Sequence, residues 1–215
     1  MSSQLATTNE YLVAADLTIG HGSVRHIQVT STLEPSFEGG GYFTYIGFKT
    51  DGVAVAPTPR ARRIELVGDS ISAGYGSRGS AATAGCQVDD ITSGNAYTYN
   101  YQLAEAFDAD ITPIAWSGKG MYENCCDSGI KMPALYLQTL GFSPDAFPFD
   151  QPPPDAMIIN LGTNDFGHDS GAAWEVAFTQ TYVDFVQNAT ARYKPPQLPI
   201  FVAQGPMNNG ANLCA

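Results

Sequence analysis

The run RRIELVGDSISAG, residues 62–74, decides how the rest of the chain is read. It begins as a short apolar strand over Ile64, Leu66 and Val67 and breaks off in Gly68-Asp69-Ser70, followed by small residues. A strand that ends at a glycine and hands over to a serine sets a hydroxyl at the carboxyl end of a sheet, where it can be a nucleophile or simply the N-cap of a helix. Two later stretches repeat the pattern. ADITPIAWSG (109–118) reads as a strand ending near Trp116 and leads into Ser117-Gly118-Lys119-Gly120. DAMIINLGTND (155–165) has an unbroken apolar centre, suited to a parallel strand covered on both faces, and runs into Gly162-Thr163-Asn164-Asp165. LPIFVAQG (198–205) is a fourth strand.

Helical periods fall between these strands. NAYTYNYQLAEAF (95–107) predicts a helix capped by Asn95, with Tyr99, Leu103 and Phe107 on one stripe. The segment 172–193 predicts a long helix with Trp174, Phe178, Tyr182, Phe185 and Ala189 along one face. Strand and helix in alternation imply an α/β domain with a mostly parallel sheet, and ligands bind such sheets at the carboxyl ends of the strands.

Before residue 60 the grammar differs. EYLVAADLTI (10–19), the alternating VRHIQVTSTL (24–33) and GGGYFTYIGFKTDGVAV (39–55) read as strands, the last as a pair around Thr50-Asp51-Gly52. PTPRARR (57–63) is the expected boundary, giving a partial β-sandwich over 1–59 and the α/β domain over 60–215. With 44% hydrophobic and 14% charged residues the chain can bury a core. A net charge of −11 with only ten Lys and Arg argues against a nucleic-acid partner, and no apolar run is long enough for a membrane span.

Chemistry is carried by the three loop motifs together. An ester attacked by Ser70 becomes a tetrahedral oxyanion, which needs fixed donors about 3 Å away. The N–H groups of Ser70 and Gly118 and the carboxamide of Asn164 can supply them, and the small Ser72, Ala73 and Gly74 are expected to leave the substrate room. GDSISAGYG (68–76), WSGKG (116–120) and GTND (162–165) resemble blocks I, II and III of the SGNH (GDSL-type) hydrolases, over about 150 residues from Arg60 onward. The junction over 43–76 is similar, more narrowly, to carbohydrate esterase family 2. That resemblance implies a flavodoxin-like three-layer domain preceded by a jelly roll. It also implies removal of acetyl groups from plant polysaccharides such as xylan, with Ser70 as nucleophile and Ser70, Gly118 and Asn164 as oxyanion hole. Serine hydrolysis of this kind needs no cofactor, and no residue cluster suggests a metal.

The family's general base is a histidine in a D-x-x-H block near the C-terminus. The three histidines here are His21, His26 and His168. The first two fall in the β-sandwich segment. His168 completes the letters D-x-x-H from Asp165, but it follows the oxyanion asparagine in the same loop, so it reads as a residue of the cleft rim, with the base role as the lesser alternative. Compared with the family, the chain is expected to be a piece of a longer protein, shortened at both ends and with little activity by itself. Other readings stay open: an SGNH esterase or lipase of another substrate class, or a non-catalytic carbohydrate-binding protein using Tyr42, Phe43, Tyr45 or the Trp116 neighbourhood.

Four cysteines, Cys86, Cys125, Cys126 and Cys214, and the acceptor triplet Asn188-Ala189-Thr190 favour secretion, although the first residues do not form a signal peptide. Cys86 is expected to pair with Cys125 or Cys126, leaving Cys214 the other or a cysteine beyond the end.

Overall fold

The computed structural model describes Val24, Glu34, Gly47, residues 52–79, 92–141, 143, 145–167, 171–193 and 198–209. The chain divides into two compact units, Met1–Thr30 and Ser31–Ala215, and nearly all described residues belong to the second. The strands expected before residue 50 lie outside the described residues, as do His21, His26, Tyr42, Phe43, Tyr45, Cys86, His168 and Cys214. Val53, Ala54 and Val55, expected to form the second strand of a hairpin, are exposed and not in a strand, and the expected partner strand lies outside the described residues.

Four strands form one parallel sheet in the order β2-β1-β3-β4: β1 Arg62–Gly68, β2 Ala109–Ala115, β3 Ala156–Asn160 and β4 Ile200–Ala203. All four expected strands are present. β1 and β3 are central, and their middles are buried, which is why they read as continuous apolar runs. Among the described residues β2 is an edge strand, a position where Pro113, which has no N–H to donate, is tolerated.

The pleat sorts side chains onto two faces. Glu65 and Val67 of β1 lie opposite Met157 and Ile159 of β3 and point to one side. There they meet Met121, Tyr136, the short helix α3, Met132–Leu135, at Met132 and Leu135, and the buried stripe of helix α4, Ala172–Tyr193, at Phe185, Ala189 and Tyr193. Asn160, level with Gly68, points the other way and donates to Tyr99 Oη at 3.1 Å, on helix α2, Tyr99–Phe107. α2 and α4 therefore cover opposite faces, and the sheet is the middle of three layers.

The expected α4 stripe is present, with Trp174 and Phe178 stacked near its start. The helix expected over 95–107 is corrected. Residues Asn95–Tyr97 form a 3₁₀ turn, and the α-helix starts after Thr98, whose hydroxyl accepts from the Asn100 N–H. Asn95 does not cap because its carboxamide donates to the carbonyl of Ser72 at 2.9 Å, where the buried Asn100 also donates at 2.7 Å. Phe107, expected on the apolar stripe, is exposed.

A buried carboxylate also lies among these core side chains. Glu65 is 5% exposed and accepts from the hydroxyls of Tyr136 (2.7 Å) and Tyr193. Burial holds its carboxyl above the usual range, and the two tyrosines oppose that shift by bonding the charged form. The phenols of both tyrosines are pushed up in turn, first by burial and then by the neighbouring carboxylate.

Candidate active site

Ser70 opens a short helix, α1 Ser70–Ala73, directly after β1. Asp69 is its N-cap and is fully buried; its carboxylate accepts from the Ile71 N–H at 2.9 Å. The N-cap role considered for Ser70 thus belongs to Asp69, leaving the half-buried serine as the first helical residue. Gly74 ends the turn at φ +91°, a conformation side chains rarely adopt, and its N–H returns to the Ser70 carbonyl at 3.0 Å. Ser72, Ala73 and Gly74 are buried rather than facing a cleft, which corrects the expectation that they make room for substrate. Ser72 Oγ bonds Tyr99 Oη at 2.6 Å, and a Cβ on Gly74 would lie 2.5 Å from the Gly94 carbonyl. Their small size lets α1 pack against the segment 92–95.

Strand register brings the three motifs to one edge. Gly68 is level with Ala115 of β2 and with Asn160 of β3, and the Trp116 N–H donates to the Gly68 carbonyl at 3.3 Å. The loops carrying Ser70, Gly118 and Asn164 therefore leave the sheet side by side. Gly118 has φ +78°, which explains glycine at that position of the turn. Asn164 is buried and gives one amide hydrogen to the Lys119 carbonyl at 2.8 Å, so it is fastened to the second loop while its other hydrogen is not needed for that bond.

Asp165 was legible only as the fourth letter of a motif, yet it does most of the fastening. It is fully buried, and its two oxygens accept the backbone N–H groups of Met121 (2.9 Å), Tyr122 (2.6 Å) and Glu123 (2.7 Å). A carboxylate ending an apolar strand run was the available signal, because such a group needs several donors. Asn124 extends the lacing: its Oδ1 accepts from Gly120 N–H at 3.0 Å, and its amide donates to Asp127 and to the carbonyls of Gly129 and Ile130. Lys119, also buried, pairs with Asp127 at 2.9 Å and holds that carboxyl below its ordinary range. Glu34 accepts from the Ser117 N–H at 2.8 Å.

Asp69 and Asp165 lie close enough to repel. Burial, reinforced by Asp165 and opposed by the Ile71 N–H, pushes the Asp69 carboxyl up to about 6. Trp116 packs against the core, with Lys119 Nζ 5.9 Å from its ring centre.

The cysteine expectation is corrected. Cys125 and Cys126 are bonded to each other rather than to Cys86, with their Cα atoms 3.8 Å apart. Asn188 is exposed on α4, and Thr190 of the same triplet donates to the Val186 carbonyl at 2.7 Å. Among the described residues no group of side chains could hold a metal ion, and no helix is long and apolar enough to cross a membrane.

A serine, a glycine turn and a fastened carboxamide thus stand on loops leaving the same sheet edge. The chain belongs to the GDSL-like lipase/acylhydrolase family, which matches residues 66–213. It is 31% identical to the cellulase/esterase CelE of Acetivibrio thermocellus over 97% of this chain and 25% of that protein. It is 29% identical to an acetylxylan esterase/glucomannan deacetylase of Cellvibrio japonicus, over 69% of this chain and 46% of the relative. Among solved structures, a carbohydrate esterase family 2 enzyme with a carbohydrate-binding domain, from Corynascus thermopiles (Myceliophthora fergusii), superposes with a TM-score of 0.64 at 37% identity. That match covers 74% of this chain and 50% of the other. The chain thus spans between a quarter and a half of the relatives it matches.

Proposed function

We propose that the protein carrying this chain is a secreted acetyl esterase acting on plant polysaccharide, with Ser70 as nucleophile. The observation that supports this most is the register of Gly68 with Ala115 and Asn160, which delivers the three loops to one edge, with Asn164 tied to the carbonyl after Gly118. The names of the relatives, an acetylxylan esterase/glucomannan deacetylase among them, support the substrate class.

In this reading Ser70 Oγ attacks the acetyl carbonyl carbon while an imidazole takes the hydroxyl proton. The oxyanion receives hydrogen bonds from the N–H groups of Ser70 and Gly118 and from the second Nδ2 hydrogen of Asn164. Collapse expels the sugar hydroxyl, which leaves with the proton held on the imidazole. Water then repeats the sequence on the acetyl-serine and releases acetate. The imidazole is proposed to come from a histidine of the longer protein, as the family resemblance implies; His168 is the alternative within this chain. Residues 1–59 as the end of a jelly roll, and 60–215 as the hydrolase domain, belong to the same proposal.

The test is release of acetate from acetylated xylan by the full-length protein, compared with variants that replace His168 or the distal histidine by alanine. The base is the residue whose loss lowers kcat by about 10⁶. If neither loss matters, the serine-imidazole mechanism is wrong.

A further inference from the structure

The second loop is gripped at Gly118 and just after it by residues that follow. Asn124 takes the Gly120 N–H, and the Cys125 N–H donates to the Gly118 carbonyl at 3.1 Å. The sulfur of Cys125 lies against the bare face of the glycine, 3.3 Å from where a Cβ would be. Cys125 therefore holds Gly118 through both its backbone and its side chain, while Cys126 is exposed. Linking the two sulfurs closes a small covalent ring that restricts the rotamer of Cys125 and the peptide between the pair.

We propose that the Cys125–Cys126 disulfide is a positioning element that sets the Gly118 amide as an oxyanion donor, and that opening it lowers turnover more than substrate affinity. The inference rests on the reading of Gly118 given above. Transition-state stabilisation depends on donors held within tenths of an ångström, whereas ground-state binding of a sugar ester does not call on the oxyanion site as strongly. An unlinked Cys125 is free to rotate its sulfur off the glycine and loosen the bond to the Gly118 carbonyl. Removing an oxyanion donor altogether costs about 10²–10³ in kcat, so loosening one is expected to cost about tenfold.

The experiment uses the full-length protein and its Cys126→Ser variant, with 4-nitrophenyl acetate as substrate and Ser70→Ala as the control. The expected result is kcat lowered about tenfold with KM changed less than about twofold. Should the variant fail to fold, the folded wild-type protein is treated with dithiothreitol, which gives two electrons and two protons to the disulfide and itself cyclises. Alkylation mapped by mass spectrometry identifies molecules opened at Cys125 and Cys126, and reoxidation is expected to restore kcat. An active wild type whose kcat is unchanged in the variant, or after opening of this disulfide, overturns the inference alone. A wild type no faster than Ser70→Ala overturns the esterase reading and the inference with it.

Discussion

At the scale of single residues, the site depends on polar groups placed where water does not reach. In the proposed mechanism Asn164→Ala removes an oxyanion donor whose other amide hydrogen is committed to the Lys119 carbonyl. The expected outcome in steady-state kinetics is a fall of about 10²–10³ in kcat with a smaller change in KM. A variant altered only in KM would assign Asn164 to substrate binding instead. Asp69 gives a prediction of a different kind. Its folded-state pKa of about 6 against an ordinary 3.8 means that the folded protein holds this proton more tightly than the unfolded chain. The penalty of ionising it is absent well below pH 4 and fully present above pH 6, so stability falls as pH rises through that window, by about 3 kcal/mol from this group. Glu65, raised by burial as well, adds a contribution of the same sign. Urea unfolding between pH 4 and 7 should therefore show a shallower pH dependence for Asp69→Asn than for the wild type; equal slopes would mean that the carboxyl is not desolvated as described.

Among elements, the strands were legible because each is a short apolar run bounded by Gly, Pro or Asp, and the sheet edge was legible because three such runs end in small polar motifs. What could not be read was how the loops are held. Asp165 reaches back to the N–H groups of residues 121–123, Asn95 leaves its expected cap to serve Ser72, and Tyr99 joins Ser72 to Asn160. Periodicity reports which face of an element is buried, whereas these bonds link positions 23 to 61 residues apart and have no local signature. The Cys125–Cys126 bond escaped for a different reason: neighbouring cysteines rarely join, since their Cα atoms, here 3.8 Å apart, lie closer than the usual disulfide span. The lacing by Asp165 has a measurable consequence. Asp165→Ala leaves buried N–H groups without acceptors and is expected to destabilise the domain by about 2–4 kcal/mol, read from denaturant midpoints. Unchanged midpoints would show that the second loop is held by Asn124 and Lys119 without it.

For the whole molecule, the parallel sheet does one thing for function. With β1 central and its neighbours in register, residues more than 90 positions apart emerge together, and the proposed oxyanion donors would come from loops whose bases are fixed by the sheet. A formal net charge of −11, with 21 acidic against 10 basic residues, disfavours a polyanionic partner. The central claim is that Ser70 forms the acyl-enzyme, and one measurement addresses it most directly: acetate released from acetylated xylan by the full-length protein and by its Ser70→Ala variant at equal concentration. Release by the wild type and a loss of about 10⁶ in the variant is the predicted result. Equal release by the two proteins would contradict it, and with it the assignment of the sheet edge as an esterase site.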